Sequence, residues 1–149
     1  MRETEYGTKL ILLAGPHGIA LHRNNNGATP TPAGQWIWFG LGASKGGSIG
    51  SSDYIGGIMI TVGSVRIDAF VAIEMKKPGW KKPADERERK QAAFIAAINF
   101  RGGFGAFCEA SDAGIEKCLQ DIIEFRNEKI KQLTGLSNGS ETISTNTDR

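Results

Sequence analysis

Two apolar runs leave this chain little freedom in how it begins to fold. Tyr54 to Thr61 and Val65 to about Lys76 are separated only by a turn near Gly63-Ser64, and strand-forming runs joined by so few residues make an antiparallel hairpin. The second run, Ala69-Phe-Val-Ala-Ile-Glu-Met-Lys-Lys-Pro78, stops being apolar at Glu74 and Lys76 before a proline ends it. Strand side chains alternate faces, so Glu74 and Lys76 share one face and Ile73 and Met75 take the other. Charges near a strand end usually solvate themselves. Here an apolar lead-in makes burial the competing expectation, and buried ions need partners.

The hairpin lays the start of its first strand beside the end of its second, so Asp53, which opens the first strand, meets Glu74 and Lys76. Converging carboxylates repel unless positive charge lies between them, and a divalent cation with Lys76 beside it meets that need. Hard oxygen ligands with no cysteine or histidine nearby favour Mg2+ or Mn2+ over Zn2+. Gly56-Gly57 inside the first strand marks a bulge or a close backbone approach.

Upstream, Glu3 to about Leu13 reads as a helix that buries Leu10 to Leu13 and stops at Gly15-Pro16. Glu3 and Glu5 fall in its first turn, where the helix dipole favours negative charge. A short strand from Ile19 to His22 follows. Arg23-Asn-Asn-Asn-Gly27 and the proline-containing stretch Ala28 to Gly34 read as an irregular loop. Gln35 to Phe39 forms a brief strand in which Trp36 and Trp38 pack, a base-stacking surface being the alternative. Gly40 to Ser52 is dense in Gly and Ser and carries Lys45. It lacks the Gly-x-x-x-x-Gly-Lys-Ser/Thr spacing and leads into a strand, which excludes a nucleoside-triphosphate loop.

Downstream, Lys77 and the loop Pro78-Gly-Trp-Lys-Lys-Pro83 supply Lys77, Lys81 and Lys82, either as a solvated turn or for contact with phosphates. Ala84 to about Arg101 turns helical, with Gln91, Phe94, Ile95 and Ile98 on one face and Asp85 to Lys90 exposed; Gln91 is the polar member of the packing stripe. Gly102-Gly103 ends the helix. Phe104 to Ala110 reads as a strand whose Cys108 behaves as a small buried hydrophobe, since no histidine is placed to activate it. Ser111-Asp112 caps a last helix from Ala113 to about Gln132, and Asn138 to Arg149 is a polar, frayed tail. The expected organisation is one domain over residues 1–133 and a flexible tail over 134–149.

Composition sets the class. A chain of 149 residues, 40% hydrophobic and 23% charged, forms one ordinary globular domain. Its net charge of +2 permits an anionic partner without demanding one. Cys108 and Cys118 make no CxxC pair and no metal cluster with His17 and His22, which suits a reduced, cytoplasmic setting. The run Leu10 to Ala14 is too short to span a membrane and follows acidic rather than basic residues, so a soluble, unexported protein is expected.

The order of a helix with glutamates, Arg23-Asn-Asn, Gly50-Ser-Ser-Asp53, Ile73-Glu-Met-Lys76 with Lys-Pro-Gly behind it, and Gln91-x-x-Phe94 resembles the PD-(D/E)xK nuclease superfamily. Over roughly residues 3–112 it is most similar to the virus-type replication-repair nuclease family. That resemblance implies an α/β, restriction-endonuclease-like core, a central mixed sheet flanked by helices. It implies Asp53 and Glu74 as metal-binding carboxylates with the Met75 carbonyl as a further ligand, Lys76 as the catalytic lysine and Gln91 as its support. A first-helix glutamate belongs to the pattern, and both Glu3 and Glu5 fit it. Arg23 and Asn24 would approach phosphates, with Lys45, Lys77, Lys81 and Lys82 as further DNA contacts. Met75 departs from the β-branched residue usual at its position, where only the carbonyl is needed.

The activity so implied is Mg2+- or Mn2+-dependent hydrolysis of DNA phosphodiesters by in-line attack, leaving a 5′-phosphate, in phage or bacterial replication and repair. Stand-alone members look like Holliday-junction resolvases, so the implied partners are branched DNA and a second copy of the chain, with the last helix and the Trp36-Trp38 segment as the interface. The alternative is a nucleic-acid-binding protein that keeps the nuclease fold without cutting, although a binder has no use for converging carboxylates that repel phosphate. A sugar-processing pair of carboxylates fits less well, because a lysine two residues from the acid suits phosphate better.

Overall fold

A computed structural model of the chain describes residues 2–41 and 50–139. Its elements run α1 (Glu3–Ala14), a 3-10 turn (Gly15–His17), β1 (Ile19–Arg23), β2 (Gly27–Pro30), β3 (Trp36–Phe39), β4 (Tyr54–Val62), β5 (Val65–Lys76), α2 (Glu86–Phe100), β6 (Phe104–Glu109) and α3 (Asp112–Gly139). The expected hairpin is β4–β5, paired without a break from Val62↔Val65 to Tyr54↔Ile73. β1 adds antiparallel to the far edge of β4, and β6 adds parallel to β5, giving a mixed four-stranded sheet in the order β1-β4-β5-β6. A parallel neighbour needs a crossover, and α2 is that crossover.

The alternation of β5 decides which layer covers which face. Val71, Ile73 and Met75 point into the main core with Leu10 and Ala14 of α1 and Ile115, Cys118, Leu119 and Ile122 of α3. Each fully buried large side chain there contributes about 1.5–3 kcal/mol over leaving it in water. α2 packs on β5 and β6, on the face that carries Glu74 and Lys76. Gly56 marks a close approach rather than a bulge. Both ladders pass through it in unbroken register, and a Cβ there would stand 1.7 Å from the Ala20 carbonyl oxygen. Gly7 of α1 makes room for Tyr54 in the same way, since a Cβ would lie 1.7 Å from the tyrosine oxygen. This contact seats the start of α1 beside the start of β4.

Three expectations are corrected. Ala28 to Gly34 is not all irregular loop: Gly27–Pro30 pairs antiparallel with Trp36–Phe39 as a separate two-stranded ribbon. Pro30 closes its strand and Pro32 lies in the turn, where the Thr31 amide donates to the Gln35 carbonyl (2.7 Å). Proline is tolerated at such positions. Within the ribbon Trp36 is 60% exposed, not packed. The last helix also outruns Gln132 and continues to Gly139. Thr134 returns its hydroxyl to the Ile130 carbonyl (2.7 Å), and a glycine such as Gly135 costs a helix interior only about 1 kcal/mol. The rest of the expected tail lies outside the described residues. Among those residues, no helix is long and apolar enough to cross a membrane.

Candidate active site

The site lies at the start of β4. Its first residue, Tyr54, pairs with Ile73, so Glu74 to Lys76 of β5 continue beyond the ladder and Asp53 fills the gap. The Asp53 amide donates to Glu74 Oε2 (3.1 Å), and Asp53 Oδ2 accepts from the Met75 amide (3.1 Å). The Lys76 carbonyl accepts from the Ala110 amide on the β6 side, so alternation turns the Met75 amide and carbonyl toward Asp53.

Solvation was one reading of Glu74 and Lys76, and burial overturns it. Glu74 is 2% exposed, and the Lys76 side chain is 12% exposed. Lys76 Nζ lies 3.3 Å from Glu74 Oε1 and donates to Gln91 Oε1 (2.8 Å). The Gln91 amide nitrogen donates to Glu74 Oε1, so one glutamine bridges both charges. Helical spacing placed Gln91 on the packing stripe, and at 3% exposure it is a buried polar residue whose partners are these two.

Burial first, and the Asp53 charge second, push the Glu74 carboxyl up to about 7 against the opposing pull of Lys76. Burial also raises Asp53 above the usual carboxylate range, although the Met75 amide works against it. Two crowded carboxylates thus share one ammonium, a surplus of negative charge that a hard cation would balance. Among the described residues no cluster of three or more His, Cys, Asp and Glu could hold a metal ion. Mg2+ is commonly held by one or two carboxylates, with waters and substrate phosphate completing its shell. Asp53, Glu74 and the Met75 carbonyl fit that kind of site.

A cleft of about 980 Å³ opens beside this floor, and Asp53, Met75 and Gln91 line it. Glu3 lines it too. Glu5 does not: it accepts from the Arg2 amide (2.8 Å) and Arg2 Nε (3.3 Å) and serves as the helix cap. Of the expected phosphate contacts, Arg23 and Asn24 line the cleft, joined by Arg87 and Lys90, which sequence reasoning missed. The Asn24 side chain is committed within the protein. It donates to Ser51 Oγ (3.1 Å) and the Ser52 carbonyl (3.0 Å) and accepts from the Leu41 amide (3.1 Å), so it shapes the Gly50-to-Asp53 segment. Lys81 and Lys82 are exposed outside the cleft lining, and Lys77 lines a separate depression with Arg2, Glu3 and Tyr6. Lys45 lies outside the described residues.

Gly50 lets that segment pass against α2. Its φ is +78°, and a Cβ would stand 2.5 Å from the Lys90 backbone carbon and 2.6 Å from the Gln91 nitrogen. Gly50→Ala is therefore expected to destabilise by about 1–3 kcal/mol through strain and overpacking and to displace the Asp53 segment from Gln91. Denaturant midpoints check the loss.

Glu88 departs from the expectation that Asp85 to Lys90 are all exposed. Its Oε1 accepts from Trp80 Nε1 (3.1 Å) and lies 3.4 Å from Lys76 Nζ, while Oε2 accepts from the Ala84 amide (2.8 Å). The Ala84 amide first, then the Trp80 indole, hold its carboxyl below the usual range. Two signals were present in the sequence. Asp85-x-x-Glu88 is a helix-start pattern, and Glu88 sits three residues before Gln91 on the same face. Cys108 is buried, as expected.

No model of a known protein family matches the chain, and no curated protein matches it significantly. The chemistry of the site therefore rests on its own residues.

Proposed function

We propose that the protein is a divalent-cation-dependent nuclease that hydrolyses DNA phosphodiester bonds, on a restriction-endonuclease-like core whose site resembles that of the virus-type replication-repair nucleases. One observation carries the reading: a buried Glu74–Lys76 pair, crossed with Asp53 by main-chain hydrogen bonds, stands beside a cleft lined by arginine and lysine. Asp53, Glu74 and the Met75 carbonyl would hold Mg2+ or Mn2+, which supplies phosphate polarisation and a more acidic attacking water. Lys76 would offset the negative charge that builds on the phosphate. Gln91 fixes the spacing of Glu74 and Lys76. Arg23, Arg87 and Lys90 take neighbouring phosphates of the backbone, and Glu3 stands ready on the same cleft as a further acidic group.

Branched DNA is the proposed substrate, and a homodimer the proposed acting form, because symmetric cuts need two sites. The exposed Trp36, Ile37 and Phe39 give the ribbon an apolar surface for that contact. The test uses labelled single-stranded, duplex, flap and four-way-junction DNA with Mg2+, Mn2+ or EDTA. Symmetric nicking of the junction with either cation and none in EDTA is expected. Equal cutting of plain duplex overturns the resolvase assignment, and binding without any cutting overturns the nuclease.

A further inference from the structure

Lys76 has more company than a lysine paired with one glutamate requires. Its Nζ lies almost equally far from two carboxylates, 3.3 Å from Glu74 and 3.4 Å from Glu88. It also sits 5.5 Å from the ring centroid of Trp80 and 5.7 Å from that of Phe107, and these rings pack at 4.4 Å. The two carboxylates differ in what else they can do. Glu74 touches Asp53 and belongs to the proposed cation site. Glu88 is tied down at both oxygens by the Trp80 indole and the Ala84 amide. The Trp80 loop is itself pinned, through the Trp80 amide to the Lys77 carbonyl (3.1 Å) and the Gly79 amide to Glu109 Oε2 (3.3 Å).

We propose that Glu88, held in place by the Trp80 indole, is a positioning residue that keeps the Lys76 ammonium at the reacting phosphate when Glu74 gives its charge to the cation. The proposal rests on the nuclease reading above. Without Glu88, a lysine that loses Glu74 swings toward whichever negative group is nearest, including a non-reacting phosphate. With it, the ammonium keeps a fixed counter-charge and two aromatic faces that favour a cation. A group already in place costs no reorganisation at the moment of reaction.

The competing account is that the Glu88 side chain only braces the start of α2, where its Oε2 accepts from the Ala84 amide (2.8 Å) beside the N-cap Asp85, whose Oδ1 accepts from the Glu88 amide (2.8 Å). Single-turnover cleavage separates the two accounts, using whichever DNA the wild type cuts, at saturating Mg2+. Glu88→Gln is expected to lower kcat about 10–100-fold with KM within about twofold. Trp80→Phe, which keeps a ring and loses the indole donor, is expected to lower kcat less, about 3–10-fold. In a Lys76→Ala background, Glu88→Gln should change nothing further, because it acts through that lysine. Asp85→Ala removes the cap alone and should lower Tm by a few degrees with kcat unchanged. Equal losses from Glu88→Gln with and without Lys76, or a loss of Tm alone, overturn the positioning role. A wild type that cuts no DNA with either cation overturns the nuclease reading instead.

Discussion

For the proposed nuclease, Glu74→Ala and Lys76→Ala are each expected to lower cation-dependent DNA cleavage by about a thousandfold or more. The two losses have different origins. Glu74→Ala removes half of the carboxylate pair at the end of the hairpin and leaves Lys76 with Gln91 and Glu88, so the protein should stay folded and lose chiefly its cation. Lys76→Ala leaves a buried carboxylate beside Asp53 without its counter-charge. Breaking a buried pair from one side costs about 3–5 kcal/mol, so this variant should lose stability as well as activity above neutral pH. Single-turnover cleavage beside urea denaturation, each with and without Mg2+, reads both losses. Unchanged cleavage in both variants rules out the catalytic assignment.

In EDTA, the folded protein becomes less stable as pH rises from 5 to 8. An unfolded glutamate releases its proton near 4.5, whereas folded Glu74 holds it to about 7. Between those values the folded state binds more protons than the unfolded state, so raising the pH favours unfolding, by up to about 1.4 kcal/mol per unit. The full loss is on the order of a few kcal/mol and is complete above about pH 7. Asp53, also raised, works in the same direction. A cation that binds the ionised pair stabilises the fold by mass action, so Mg2+ should raise Tm more at pH 8 than at pH 5. Glu74→Gln removes the titrating group and should flatten both trends. Denaturant titrations across pH check the slope, and a stability that climbs from pH 5 to 8 in EDTA would mean that the two carboxylates do not strain one another.

What could be read from the residues, and what could not, follows from how local each signal is. The hairpin was legible because strand patterns and a two-residue turn are local, and once it exists its geometry forces Asp53 against Glu74. Gln91 was visible for a related reason, as a polar residue on an apolar stripe. Between Glu3 and Glu5 the sequence was silent. Their difference depends on Arg2 curling back to Glu5 and on Tyr54 packing into Gly7, contacts that no periodicity records. The β2–β3 ribbon was hidden because prolines carry a loop signal even when they stand at a strand end and in a turn. Asn24 reaches the cleft as its place in the motif suggested, with its amide donating to Ser51 and Ser52 as well. Glu88 was passed over because a charge in the first turn of a helix already has an ordinary explanation.

The crossover from β5 through α2 to β6 has a consequence for how the molecule assembles. Glu74, Lys76, Glu88 and Gln91 all lie within that one strand–helix–strand unit, and Glu74 and Gln91 are only 17 residues apart along the chain. Contacts so close in sequence close short loops and are cheap in chain entropy. The charge-bearing half of the site can therefore form early, before the chain is committed elsewhere. The α1 side of the cleft depends on a more distant partner, since α1 is tied to the last helix by Lys9 and Asp112 across 103 residues.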